Sequence, residues 1–200
     1  MKKVNVPVVI RRVTDKVYQD KNCIHLGKEG SSYFVYPLAE KNPIIYSGGV
    51  GWDILLELDL VRKFNAKIFI FDPTEKAKKL MSKIKNKNIK YFQYGLSGKS
   101  GEFEIDDGKS HKCISLSDFA RQHKHKRIEL MKLDIEGFEY GVLKDVLNNP
   151  NLEIRQIVLE FHGWMQNIPR YLDRIWKKEL QKKGYKLVYK DIDNYTYLKE

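Results

Sequence analysis

The sequence predicts a doubly wound, mostly parallel α/β sheet that ends in an antiparallel hairpin. Three observations predict it. From Asn42 onward, short apolar runs alternate with amphipathic stretches. A glycine-rich turn follows the first of these runs directly. The last two segments alternate in polarity and are rich in β-formers.

Apolar runs at residues 43–47, 67–71, 89–94, 128–133 and 154–160 read as strands covered on both faces. Residues 54–64, 75–84, 116–123 and 137–147 read as helices between them. In the first helix, Ile54, Leu55, Leu58, Val61 and Phe64 share one face. A fifth helix over 168–183 has Pro169 near its start and Gly184 closing it. Segments 185–189 and 195–198, with a turn at 191–194, form the terminal hairpin. Ahead of all this, residues 1–42 are an N-terminal extension. It carries short strand-like pieces at 4–10 and 33–36 and turn signals between Gly27 and Gly30.

A chain of 200 residues and 23.6 kDa points to one domain that buries roughly 70% of its unfolded surface. An apolar share of 42% excludes a largely disordered chain. No apolar run is long enough to span a bilayer. Asn5, Arg11 and Arg12 interrupt any signal-peptide core after Met1. Cys23 and Cys113 make neither a disulfide scaffold nor a zinc module, so a cytoplasmic location is expected. Thirty-seven basic against 26 acidic residues give a net charge of +11. The lysines crowd residues 76–90, 121–127 and 177–183. They are not interleaved with stacking aromatics, so solvated helix faces explain them better than nucleic-acid binding.

In an open α/β sheet, ligands sit beyond the carboxyl ends of the strands. Four strand ends carry chemistry here. After the first strand comes Tyr46-Ser-Gly-Gly-Val-Gly-Trp-Asp53, where glycine allows tight turning and close ligand approach. Asp72 ends the second strand about 20 residues later, the spacing of a carboxylate that grips a ribose diol. The same side chain could instead cap a helix beginning near Thr74. A third glycine is missing from the turn, and Trp52 and Asp53 would crowd a pyrophosphate. A nicotinamide dinucleotide is therefore excluded, whereas Asp53 and Glu57 suit the cationic amino group of a methionine moiety. The fourth strand ends in Lys132-Leu-Asp134-Ile-Glu136-Gly137, and the fifth in Glu160-Phe-His162. Residues two apart on a strand face the same way, so Glu160 and His162 point together.

Taken in order, Tyr-Ser-Gly-Gly-Val-Gly-Trp-Asp, Phe-Asp-Pro-Thr, Lys-Leu-Asp-Ile-Glu-Gly-Phe-Glu and Leu-Glu-Phe-His resemble the FkbM-type methyltransferases. These are class I enzymes dependent on S-adenosylmethionine. The resemblance spans about residues 43–163. It implies a Rossmann-like seven-stranded sheet over residues 43–200, with the extension 1–42 packed on the core or covering the acceptor site. It further implies S-adenosylmethionine as cofactor, held by Ser47, Gly48, Gly49, Gly51, Asp53, Asp72, Pro73, Gly95 and Leu96. The chain departs from the broad pattern at Ile45 and Ser47, where an acid and a glycine are usual.

Amino methyltransferases of nucleic acid place an Asn/Asp-Pro-Pro-aromatic turn after strand four, and Asp134-Ile-Glu-Gly137 is not one. The resemblance implies a hydroxyl acceptor on a glycan or small sugar, with rhamnose-containing polysaccharides as one candidate. A hydroxyl needs a base, and Asp134 or His162 could serve, with Glu160 orienting the histidine. Alternatively, Asp134, Glu160 and His162 hold Mg²⁺ or Mn²⁺. The runner-up acceptor is the ribose 2′-hydroxyl of RNA, favoured by the net charge. A third class, a non-catalytic nucleic-acid-binding protein, fits poorly with Asp72 and the strand-four motif in place.

Overall fold

A computed structural model describes residues 17–28, 31–105, 108–165 and 168–200. In chain order the strands and helices are β1 (Tyr18–Gln19), β2 (Ile24–Lys28), β3 (Ser31–Val35), β4 (Ile44–Gly48), α1 (Leu55–Phe64), β5 (Lys67–Phe71), α2 (Glu75–Met81) and β6 (Ile89–Phe92). Next come β7 (Gly95–Ser97), β8 (Gly101–Glu104), β9 (Ser110–Ser115), α3 (Leu116–Gln122), β10 (Arg127–Ile128), β11 (Leu130–Leu133) and α4 (Glu139–Leu147). The chain finishes with β12 (Glu153–Ile154), β13 (Gln156–Glu160), α5 (Tyr171–Lys182), β14 (Tyr185–Asp191) and β15 (Asn194–Lys199).

The main sheet runs β1-β14-β15-β13-β11-β4-β5-β6. Neighbours from β13 to β6 are parallel, while β15 is antiparallel to both β13 and β14. Seven of these strands are the expected ones, and the two-residue β1 adds an eighth at the edge. The chain leaves β4 toward β5 and β6 on one side, then returns to place β11 on the other. That switch point lies between β4 and β11, where a crevice must open.

Alternation along the strands builds two cores. Ile45, Ile68, Ile70, Leu130 and Val158 pack with Leu56 and Leu60 of α1 and Ala77 and Met81 of α2. Tyr46, Phe69, Phe71, Met131, Leu133, Ile157 and Leu159 face the other way, against residues of α3, α4 and α5. Covered faces on both sides explain why these strands read as nearly continuous apolar runs.

The helices begin and end where local chemistry directs. The Thr74 hydroxyl accepts from Ala77 N–H at 3.2 Å to start α2, and Ser115 accepts from Asp118 N–H at 3.2 Å to start α3. Asn65 takes the left-handed conformation that closes α1. The fourth helix starts at Glu139 rather than at the expected 137, because Glu136 and Gly137 turn the chain at φ 51° and 100°.

One element was not expected. β7, β9 and β8 form a separate three-stranded sheet just after the third parallel strand, which stops at Phe92. β7 and β8, of three and four residues, each begin on a glycine and are too brief for a two-residue period to show. The N-terminal part holds a second surprise, for β2 pairs with β3 as a hairpin lying on α1. The strand-like piece at 4–10 and the end of the glycine turn, residues 29–30, lie outside the described residues. Among those residues no helix is long and apolar enough to cross a membrane.

Candidate active site

The turn after β4 is shaped by contacts that only glycine permits. Gly49 has φ 78°, and its N–H donates to Phe71 O at 2.9 Å. A Cβ there would lie 1.8 Å from the Asp134 carbonyl oxygen. Close approach of this turn to the end of β11 is thus built into residue 49. Gly51, at φ 60°, faces open space.

Asp72 ties the turn to the end of β5. Its Oδ2 accepts Val50 N–H at 2.9 Å, and its Oδ1 accepts both Thr74 N–H at 2.9 Å and the Thr74 hydroxyl at 2.6 Å. The capping reading of Asp72 is seen directly. It organises the residue that caps α2, and it also lines a cavity of about 440 Å³ together with Gly49, Gly51, Pro73, Gly95 and Leu96. The side chain of Cys113, from the unexpected small sheet, also borders this space. The lining fits an adenosine-bearing cofactor, for it combines a carboxylate, glycines and apolar side chains. Ser47 and Gly48 stand behind the turn. The Ser47 hydroxyl donates to Glu57 at 2.5 Å, and Gly48 packs against Leu96 and Ile135.

A second cavity, of about 310 Å³, adjoins the first. Asp134 and Glu136 border both. Asp53, Glu160 and His162 line the second one, and Trp52 and Trp164 stand at its walls, 82% and 46% exposed. Asp53 also accepts Leu55 N–H at 2.9 Å, steadying the start of α1.

His162 is buried, and its Nδ1 lies 2.9 Å from Glu139 Oε1. That same oxygen accepts Ile135 N–H at 2.8 Å. The carboxylate that orients the histidine is therefore Glu139 of α4 rather than Glu160. Around Nε2 stand Glu136 Oε2 at 3.4 Å, Asp134 Oδ1 at 3.8 Å and Glu160 Oε1 at 4.0 Å. One ligand atom each from Asp134, Glu160 and His162 fall within 4.8 Å of one another. The other oxygen of Asp134 accepts the Tyr33 hydroxyl at 2.8 Å and faces the Lys132 ammonium at 3.4 Å. Lys132 is itself buried and donates to the carbonyl oxygen of Gly49.

The electrostatics follow from this crowding. Burial opposes the charged form of His162, but Glu139, Glu136 and Glu160 outweigh it and raise its pKa to about 9. Burial also disfavours an ionised Asp134, yet Lys132 and the Tyr33 hydrogen bond overcome it and lower the pKa. For Lys132, burial is outweighed by Tyr33, Asp134 and Glu57, so the ammonium is held. Burial, then the neighbouring Asp134, pushes Glu160 up. Burial likewise raises Glu57 against the pull of Lys132.

Residues 20–187 match the family described as the methyltransferase FkbM domain. The chain belongs to the FkbM methyltransferase domain family. Its sheet order and its switch-point crevice are those of a class I methyltransferase, and S-adenosylmethionine is the methyl donor of that class. The fold is similar to the fibrillarin pre-rRNA processing protein of Methanococcus jannaschii, with a TM-score of 0.50 and 10% identity over 94% of this chain and 86% of that one. A putative S-adenosylmethionine-dependent methyltransferase from Listeria monocytogenes is similar at a TM-score of 0.44 and 11% identity, covering 80% of this chain and 92% of that one. At such identities the likeness is one of fold. No curated protein matches the sequence.

Within this FkbM domain, the site residues legible beforehand come from strand ends. Tyr33, Lys132 and Glu139 had no assigned role, and Glu136 was named only as part of the fourth strand end. Lys132, Glu136 and Glu139 stand inside the Lys-x-Asp-x-Glu-Gly-x-Glu element, where charge alone could have marked them. Tyr33 carried no such signal, because it arrives from a hairpin a hundred residues away in sequence.

Proposed function

We propose that this FkbM-domain protein transfers the methyl group of S-adenosylmethionine to a hydroxyl of a sugar, in a glycan or a small sugar-containing acceptor. The observation that carries this reading is the placement of Asp134, Glu160 and His162 in a cavity adjoining the one bordered by Asp72. Bound S-adenosylmethionine supplies an electrophilic methyl group on a sulfonium. Gly49 and Gly51 admit the cofactor close to the backbone, and Asp72 meets its ribose hydroxyls. Asp53 and the acidic second cavity favour the positive end of the cofactor.

On the acceptor side, a sugar hydroxyl must give up its proton as its oxygen attacks carbon. Asp134 Oδ1 is ionised, turned toward the cavity and able to hold that proton. His162 Nε2 is the alternative acceptor, once the charge on the ring is relieved. The indoles of Trp52 and Trp164, one face of Trp52 being taken by the Lys76 ammonium, are flat apolar surfaces on which a neutral pyranose ring can rest. A surplus of carboxylates at the same place repels phosphates. This favours a neutral glycan, a rhamnose-containing one among the candidates, over a polynucleotide.

The donor set also suits Mg²⁺ or Mn²⁺. Asp134, Glu160 and His162 would hold the ion, with Glu139 fixing the ring from Nδ1 as an outer partner. Such an ion would acidify a hydroxyl bound to it.

Methyl transfer from labelled cofactor into a panel of neutral sugars, glycans and RNAs tests the proposal. Label in a neutral sugar hydroxyl supports it. Label confined to the ribose of RNA would replace it with the second reading, a 2′-O-methyltransferase. That reading draws on the basic strip at Arg121, Lys124 and Lys126, which lines a separate cleft that shares no residue with the two cavities at the strand ends.

A further inference from the structure

The residues before the glycine turn do more than cover the sheet. Leu26, Tyr33 and Val35 of the β2–β3 hairpin enter the core formed by α1 and the strands. Gly27 N–H donates to Asp59 of α1 at 2.9 Å. Gln156, at the start of β13, exchanges two hydrogen bonds with the Tyr36 backbone, at 2.7 and 3.0 Å. The Thr196 hydroxyl of β15 donates to Phe34 O at 2.5 Å. The hairpin is thus tied to helix and sheet on both sides of Tyr33. Alternation along β3 turns Tyr33 and Val35 inward while Phe34 stacks on Tyr189, their rings 4.3 Å apart.

From this position the Tyr33 hydroxyl reaches Asp134 Oδ2 at 2.8 Å, and Lys132 stands at the same oxygen and near the Tyr33 ring, 5.4 Å from its centroid. A buried tyrosine needs some acceptor for its hydroxyl. A tyrosine serving only the core would use any carbonyl nearby. This one spends its proton on the carboxylate at the mouth of two cavities, beside a lysine that also binds the Gly49 carbonyl of the cofactor turn. With Oδ2 held on two sides, only Oδ1 is left to turn toward His162 and the second cavity.

We propose that Tyr33, delivered by the N-terminal hairpin, is a positioning residue that with Lys132 clamps Asp134 so that a single carboxylate oxygen is presented to the acceptor. The inference rests on the reading above in which Asp134 serves the acceptor side. The hairpin lies within the family match over residues 20–187, and the strand-end motifs that carry the resemblance do not include Tyr33.

Tyr33→Phe removes one oxygen atom and keeps the ring. Turnover on an accepted sugar should fall about 10–100-fold, the scale set by a misplaced reacting group. The KM for S-adenosylmethionine should stay within about two-fold, because Tyr33 is not among the residues lining the Asp72 cavity. Adding Asp134→Asn to Tyr33→Phe should cost little beyond Asp134→Asn alone, as for residues acting as one unit. Unchanged kcat in Tyr33→Phe, or a loss that merely follows a lower melting temperature, would overturn the clamp. If wild type methylates nothing in the panel, the proposed function fails and a second measurement judges the clamp separately. With 3-fluorotyrosine incorporated, the residue-33 resonance, identified by its absence in Tyr33→Phe, should shift in Asp134→Asn and stay put in Lys78→Glu. A resonance indifferent to Asp134→Asn would overturn it.

Discussion

Glu139 Oε1 lies 2.9 Å from His162 Nδ1, and this contact decides which ring nitrogen faces the second cavity. A carboxylate can only accept, so Nδ1 carries hydrogen and Nε2 is turned toward Asp134, Glu136 and Glu160. The other oxygen of Glu139 is buried with no hydrogen-bond partner among the described residues. Such a group is costly to keep, which marks Glu139 as held in place for His162 rather than for its own stability.

Asp134→Asn and His162→Ala are each expected to lower turnover by about 10²–10⁴-fold, the range for a positioned acid–base group. Affinity for S-adenosylmethionine, measured by calorimetry, should stay near wild type in His162→Ala. Wild-type rates in both variants would remove the acceptor site as drawn.

Asp72→Ala is expected to weaken cofactor binding by about 1–3 kcal/mol, since buried hydroxyls lose a charged partner. The same change frees Val50 N–H and Thr74, so the melting temperature should fall as well. Titration of the variant with S-adenosylmethionine reads the first effect and a thermal melt the second. Undiminished affinity would leave Asp72 with a capping role alone.

Removal of divalent ions gives a clean division. With Mg²⁺ or Mn²⁺ held by Asp134, Glu160 and His162, excess EDTA should abolish methyl transfer and either ion should restore it. Cofactor binding should persist in EDTA, because none of these three side chains is needed to grip the adenosine end. Full activity in the chelator would dismiss the ion and leave proton transfer to the side chains.

Charge reversal at Lys78, Lys79 and Lys83 addresses the acceptor's charge. All three are exposed on or just after α2. They offer a long-range field and no contact with a reacting atom. Rates on a neutral sugar should stay within a few-fold of wild type. A collapse of activity with folding and cofactor binding intact would favour an anionic polymer as the acceptor.

Stability should decline in mild acid through His125. Its Nδ1 is 2.6 Å from the Tyr46 hydroxyl, and burial, then His123, Lys90 and Lys67, lower its pKa. The folded chain therefore takes up this proton less readily than the unfolded chain, and stability drops as pH falls below the unfolded value of about 6.5. Melting temperatures from pH 8 to 5 should fall more steeply for wild type than for His125→Gln. Equal slopes would count against this source of acid sensitivity.

The five parallel strands and the closing hairpin were legible because each pattern is local. β5 reads as a strand from Ile68 to Phe71 alone, since both of its faces are buried. Asp72 and the glycine turn were legible for a related reason, as a strand end needs neither partner nor register to announce itself. The same holds for Asp134, Glu160 and His162, which occupy the ends of neighbouring strands. The tertiary structure alone decided how these side chains are held. Glu139 reaches His162 because the turn at Glu136 and Gly137 swings α4 back over the end of β13. Tyr33 meets Asp134 because the hairpin packs on α1 with that one face inward. Periodicity reports which face of an element is buried, and it carries no information about which distant element will cover it. The residues that chain pattern could name line the two cavities, and the residues that hold them were set by packing between elements 23 positions apart for Glu139 and 101 for Tyr33.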